Sequence, residues 1–200
     1  FGGTLAAAME LFETGAITEK VTGGLTLTFG SADALVQAVE LTARAEGFGK
    51  DLGTGSRRLT RKYGHPEFSM SVKGQEFPGY DGRAMQGMAL GYATSNRGAC
   101  HLRASPFTDD FSAIRTKGKA EIVKDTQDLV AAIDSSGLCL FTHNAWDMDD
   151  YAKQLDAACG GGWTAERLLE VGERIWNLER QFNLATGMTA DDDTLPDRIL

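Results

Sequence analysis

Gly87-Met-Ala-Leu-Gly-Tyr-Ala-Thr-Ser-Asn-Arg-Gly-Ala-Cys-His-Leu-Arg103 divides into two halves of different character. The first, through Ala93, is small and apolar and reads as helix. The second packs Arg97, Gly98, Cys100, His101 and Arg103 into seven residues. Arg97 supplies a permanent cation, and Gly98 lets the backbone turn sharply or approach a ligand closely. His101 can move a proton near neutral pH. A plain helix end accounts for the same residues, with Asn96 and Gly98 as caps and Arg97 near the helix dipole.

Helical signals continue on both sides. Thr4 to Gly15 predicts a helix with Leu5, Met9 and Phe12 on one face, Thr4 as N-cap and Gly15 as stop. Leu25, Leu27 and Phe29 alternate in a short extended segment. Ser31 caps a second helix expected to bury Leu35, Val36, Val39 and Leu41. A third, basic helix runs from Arg57 to Tyr63. Gly53-Thr-Gly55 before it lacks the lysine and the preceding strand of a phosphate loop, and reads as a helix cap. Phe68 to Lys73 alternates like a short strand, Pro78 to Gly82 is a turn-rich crossing, and helix resumes from about Arg83 to Ser95.

Residues 104–124, with Pro106, Asp109, Asp110 and the Lys117–Lys119 cluster, read as a solvated surface loop. A helix then ends at Asp134, and another spans Asp149 to Cys159. Gly160-Gly161-Gly162 breaks the chain. Thr164 opens the last long helix, where Leu168, Val171, Ile175, Leu178 and Phe182 form an apolar stripe read as core, with Trp176 buried at its edge. The fold class expected is mainly α and multihelical: the end of one helical domain (1–75), most of a second (76–200), and a short extended segment or two.

Two hundred residues suffice for a sizeable core. A net charge of −8 argues against a nucleic-acid footprint. No apolar run approaches the length of a membrane span. Three cysteines, an odd number, do not form a secreted disulfide framework, so a reducing, cytoplasmic setting is expected. His65 and His143 read as structural or exposed, and three lone histidines make no zinc site. Cys100-His101 lacks the signature of a thiol protease.

A second motif, Asp134-Ser-Ser-Gly-Leu-Cys139, follows the apolar run Leu129 to Ile133. Spacing alone makes Cys139 a buried core cysteine and Asp134 a helix terminator. Val72-Lys-Gly-Gln-Glu76, Tyr80-Asp81 with Arg83, Gly172-Glu-Arg-Ile-Trp-Asn177 and Phe182-Asn183 complete an ordered series. With these motifs the chain resembles the tungsten-dependent aldehyde ferredoxin oxidoreductase family, from about residue 1 to the end. The resemblance places both termini inside a longer polypeptide. It implies the C-terminal part of an enzyme that oxidises aldehydes to carboxylic acids and passes electrons to ferredoxin.

The resemblance also assigns roles. Cys139 matches the fourth ligand of a [4Fe-4S] cluster whose other three cysteines lie upstream. Asp134 matches an aspartate that accepts hydrogen bonds from a pterin of the bis-pterin tungsten (or molybdenum) cofactor, with Leu138 and Leu140 giving backbone contacts beside it. Arg97 and Gly98 match pterin contacts. Arg103 stands where a relative has lysine, a change from a compact cation to a planar one. Gly2 and Gly3 fall just past a further pterin motif. His101 matches a histidine beside the metal, proposed to donate a hydrogen bond or proton to the reacting oxygen. The missing N-terminal part would supply the rest of both cofactor sites, so the isolated chain is expected to be inactive. Some members form a homodimer bridged by iron on glutamate and histidine; no histidine lies between Leu35 and Gly64, which argues against that bridge and leaves the oligomer open. Two alternatives stand beside this assignment: a related reductase of aromatic acyl-thioesters, and a catalytically silent helical scaffold or partner-binding module.

Overall fold

Helices form wherever apolar side chains recur at a helical period, and strand pairing among the described residues is confined to one hairpin. The computed structural model describes residues 1–104, 106, 107, 110 and 116–200. Among these are nine α-helices and a single two-stranded sheet, so the chain is mainly α and multihelical. None of these helices is long and apolar enough to cross a membrane. The chain divides into two compact units, 1–79 with 194–200, and 80–193.

In the first unit, α1 (Gly2–Glu13) sets Leu5, Ala8, Met9 and Leu11 into the core. Its N-cap is Phe1 rather than Thr4. Thr4 is instead buried within the helix and donates to Glu76 Oε1 at 3.0 Å. After the single turn α2 (Glu19–Thr22), Leu25 and Leu27 are buried, but their segment joins no sheet, and Phe29 is exposed. The alternation there marks burial without a ladder.

Ser31 caps α3 (Ala32–Arg44) through its Oγ, as expected. The buried face differs from expectation. Ala34 and Ala38 are buried, whereas Leu35, Val36 and Val39 are 44%, 57% and 42% exposed. Small residues let the helix approach the core closely, and the larger apolar residues fall on other faces of the 3.6-residue turn. The tight packing continues at α4 (Gly49–Leu52), where a Cβ on Gly49 would lie 2.2 Å from the Leu41 backbone. Gly53 and Gly55 cap α4 and α5 (Ser56–Lys62). The strand expected near 68–73 is short: β1 (Ser71–Val72) pairs antiparallel with β2 (Gln75–Glu76) across Lys73-Gly74. Both turn residues have positive φ, 52° and 89°, as a tight two-residue hairpin requires. In the tail, Arg198 pairs with Glu10 at 2.7 Å.

The second unit contains α6 (Gln86–Thr94), α7 (Lys119–Ser135), α8 (Met148–Cys159) and α9 (Ala165–Ala185). Asp147 and Asp150 form a capping box on α8, and Thr164 caps α9. Helices α7 and α9 touch through glycine: a Cβ on Gly172 would sit 2.0 Å from the Asp128 carbonyl oxygen. Ala132, Ile133, Tyr151 and Leu168 form a core, with Leu129, Leu138, Leu140 and Trp146 against it. The apolar stripe of α9 is only partly core. Leu168 is buried, Val171, Ile175 and Trp176 are half-buried, and Leu178 and Phe182 are 65% and 69% exposed.

The expected solvated loop over 104–124 is corrected at both ends that the structure describes. Asp110 and Lys119 are buried and paired at 2.5 Å. The two Asp110 oxygens also accept from Gly87 N and Met88 N, each at 2.8 Å, which caps α6 from 23 residues away. Asp109 lies outside the described residues. A charge cluster reads as solvated only until a buried partner is found for it.

Candidate functional site

The segment after α6 is held by backbone and side-chain groups of α9. Asn96 Nδ2 donates to the Trp176 carbonyl oxygen at 3.0 Å, and Asn183 Nδ2 donates to the Asn96 carbonyl oxygen at 2.8 Å. Neither link is local, so neither was visible as a helix cap. Gly98 takes φ 111°, outside the range open to other residues, and its N–H donates to the Ser95 carbonyl oxygen at 3.3 Å.

Arg97 Nη2 then lies 3.1 Å from Cys100 Sγ, and Cys100 is buried. Its sulfur therefore faces a guanidinium. His101 is half-buried, its ring 5.4 Å from that of Tyr80. Burial first, and the charge of Arg97 second, push its pKa below the ordinary 6.5. Neutral imidazole is therefore its form at pH 7, able to accept a proton at one nitrogen and donate at the other. Tyr92, fully buried, donates to the Tyr80 carbonyl oxygen at 3.2 Å, and burial raises its pKa. In the Tyr80-Asp81 motif, Arg83 lies 2.6 Å from Asp81 and holds that carboxyl down at about 2.

Arg103 is the buried cation of the site, 7% exposed. Nη1 donates to Asp134 Oδ2 at 3.2 Å, and Nη2 donates to Glu179. Nε has no partner among the described residues. The structure thus joins two sequence-predicted residues, Arg103 and Asp134, and adds Glu179, which the sequence did not single out. Glu179 carries no local signal, since it looks like any acid on the polar side of a long helix. The one available clue was its nearness to the Phe182-Asn183 motif.

Asp134 sits in the last turn of α7, exposed, and its Oδ1 has no hydrogen-bond partner among the described residues. Gly137, at φ 77°, turns the chain. Leu138 and Leu140 anchor against the core, while Cys139 between them is exposed. This corrects the buried position that spacing alone gives Cys139. Its carbonyl accepts from Thr142 N at 3.0 Å, opening a single 3₁₀ turn, Leu140–Asn144. Gly2 and Gly3 belong to the first unit, at the start of α1. Gly3 has a packing reason to be glycine, because a Cβ there would meet Glu76 Cβ at 3.0 Å; Gly2 has open space.

Among the described residues, no group of three or more His, Cys, Asp or Glu side chains could hold a metal ion. The donors nonetheless fit part of a larger site. Cys139 offers one exposed thiol on a fixed turn, a single cluster ligand. Asp134 offers an open carboxylate oxygen to an N–H edge, with a guanidinium behind the other.

Comparison with known proteins bears on the family. Residues 1–200 match the family model described as aldehyde ferredoxin oxidoreductase, domains 2 & 3. The chain is 46% identical to a Pyrococcus furiosus protein named tungsten-containing aldehyde ferredoxin oxidoreductase, over 100% of this chain and 34% of the relative. Proteins of the same name from Thermococcus kodakarensis and Pyrococcus abyssi are 44% and 42% identical, again over 100% of this chain and 34% and 35% of theirs. The chain spans about a third of the length of these curated relatives. With its full length matched and its motifs in order, the chain belongs to the aldehyde ferredoxin oxidoreductase family.

Proposed function

We propose that this chain supplies domains 2 and 3 of a tungsten-containing enzyme that oxidises aldehydes to carboxylic acids, with ferredoxin as electron acceptor. The match of all 200 residues to those domains carries the proposal. The named relatives favour it over an acyl-thioester reductase and over a silent scaffold.

Oxidation of an aldehyde with one water gives the acid, two protons and two electrons. A tungsten–pterin centre and an adjacent [4Fe-4S] cluster, when bound, would supply the redox chemistry. This chain's residues would do the rest. Asp134 would accept pterin N–H donors at its open oxygen while Arg103 and Glu179 keep its carboxylate oriented. Arg97, Gly98 and the backbone at Leu138 and Leu140 would line the pterin. Gly2 and Gly3, just past a pterin motif of the family, would be cofactor contacts of the first unit. Cys139 would give one thiolate to the cluster, and three more ligands must come from elsewhere. His101, neutral at pH 7, would hold or move the proton at the substrate oxygen. The two units would correspond to the family's two domains. Dependence on reduced thiols fits a cytoplasmic setting, with a homodimer as the assembly.

Metal analysis and electron paramagnetic resonance of the reduced full-length protein, with aldehyde-dependent ferredoxin reduction, test the proposal. Tungsten and about four irons are expected from one bound cluster. Cys139→Ser should change the cluster signal while leaving tungsten in place. Absence of both metals and of aldehyde-dependent reduction from wild-type protein expressed with tungstate would overturn it.

A further inference from the structure

In the first unit, Arg57, Arg58 and Arg61 of α5 and Lys73 of the hairpin turn line one cavity of about 430 Å³, completed by Thr54 and Gly74. Among the described residues, no acidic side chain lines it. This concentration of cations occurs in a chain of net charge −8. Arg57 and Arg61 stand one helical turn apart, where like charges repel. Lys62 on the same helix shows how such a charge is usually cancelled, with its Nζ 2.6 Å from Asp51. The guanidinium groups of Arg57, Arg58 and Arg61 have no ion-pair or hydrogen-bond partner among the described residues.

The walls are fixed before any ligand arrives. Glu76 Oε1 accepts from Ser56 N at 2.6 Å and from Thr4, tying the hairpin to the start of α5 and to α1. Leu59 and Thr60 bury the opposite face of α5. The Arg57 side chain runs along the hairpin, 3.4 Å from where a Cβ on Gly74 would stand. Lys73, on the cavity rim, is one of two non-glycine residues with positive φ among those described. That φ belongs to the tight hairpin turn, which fixes where Lys73 stands on the rim.

We propose that this cavity binds a polyvalent oxyanion, recognised through two or more phosphoryl groups. Planar guanidinium forks match tetrahedral oxyanions, and several cations at once select for more than one negative charge. The volume is that of a small-molecule site. Among the described residues no aromatic ring lines it to stack a nucleobase, so the phosphoryl part is what it reads.

Isothermal titration of the full-length protein with inorganic pyrophosphate tests this without reference to redox activity. One saturable site per chain is expected. Arg57→Gln with Arg61→Gln should weaken binding about 100-fold, roughly tenfold for each guanidinium–phosphoryl pair removed. Arg57→Lys with Arg61→Lys keeps the charge but loses the forks, and should weaken it about tenfold. Arg44→Gln, at the end of α3 and outside the cavity, should change nothing. If circular dichroism shows the double glutamine variant misfolded, exposed Arg58→Gln takes its place, with about tenfold weakening expected. No saturable binding, binding indifferent to these cavity substitutions, or equal weakening by Arg44→Gln would overturn the proposal.

Discussion

Arg103 and the arginines of α5 are the same residue type handled in opposite ways. Arg103 is buried and fastened to Asp134 and Glu179. Arg57, Arg58 and Arg61 stand together at a cavity that no described carboxylate lines. The difference follows from desolvation. A guanidinium taken out of water must be paired, because an uncompensated buried charge costs several kcal/mol. One left in contact with water keeps its solvation and can wait for a ligand. Burial therefore separates the cation that organises a site from the cations that can receive something.

Four measurements would break or sharpen this contrast. The largest effect should come from the most buried pair. Asp110→Ala removes the buried ion pair with Lys119 and uncaps α6, and should cost about 4 kcal/mol in chemical denaturation; a loss under about 1 kcal/mol would mean that water reaches the pair. Arg103→Gln should cost less, about 2 kcal/mol, since the Asp134 and Glu179 side chains are each about a third exposed and their charges are partly screened. A double cycle with Glu179→Gln would show the coupling directly.

The third effect is pH-dependent. The folded pKa of His101 lies below its ordinary 6.5, so the unfolded chain takes up a proton first as pH falls. Stability should decline from 6.5 down to the folded pKa and then level off, and His101→Gln should remove that part of the slope. An unchanged slope in the variant would show that His101 does not carry it. The smallest effect belongs to α5. Arg57→Gln should alter stability by no more than about 0.5 kcal/mol, with a slight gain from relieved repulsion. A large loss in thermal unfolding would place Arg57 with Arg103, as a structural cation.

Local patterns made much of the fold legible. Ser31 and Thr164 start helices as their hydroxyls suggest, Gly53 and Gly55 punctuate α4 and α5, and helical periods locate the long helices within a few residues. The ordered motifs were enough for the family, which a match over the whole chain then showed. For the site, the sequence named residues without arranging them. It marked Arg103 and Asp134 separately, missed Glu179, and took the surroundings of Asp110 and Lys119 for a solvated loop.

What the sequence by itself determined is what neighbouring residues decide together: helix starts and stops, and the two motifs. What only the tertiary structure decided is partnership across long separations. Whether Leu35 or Ala34 faces the core depends on how closely another element approaches, and small residues permit the closer contact. Whether a charge is buried depends on a partner that can lie 76 residues away, as Glu179 does from Arg103. Periodicity along one segment holds no information about that partner, because pairing and burial are set by packing in three dimensions.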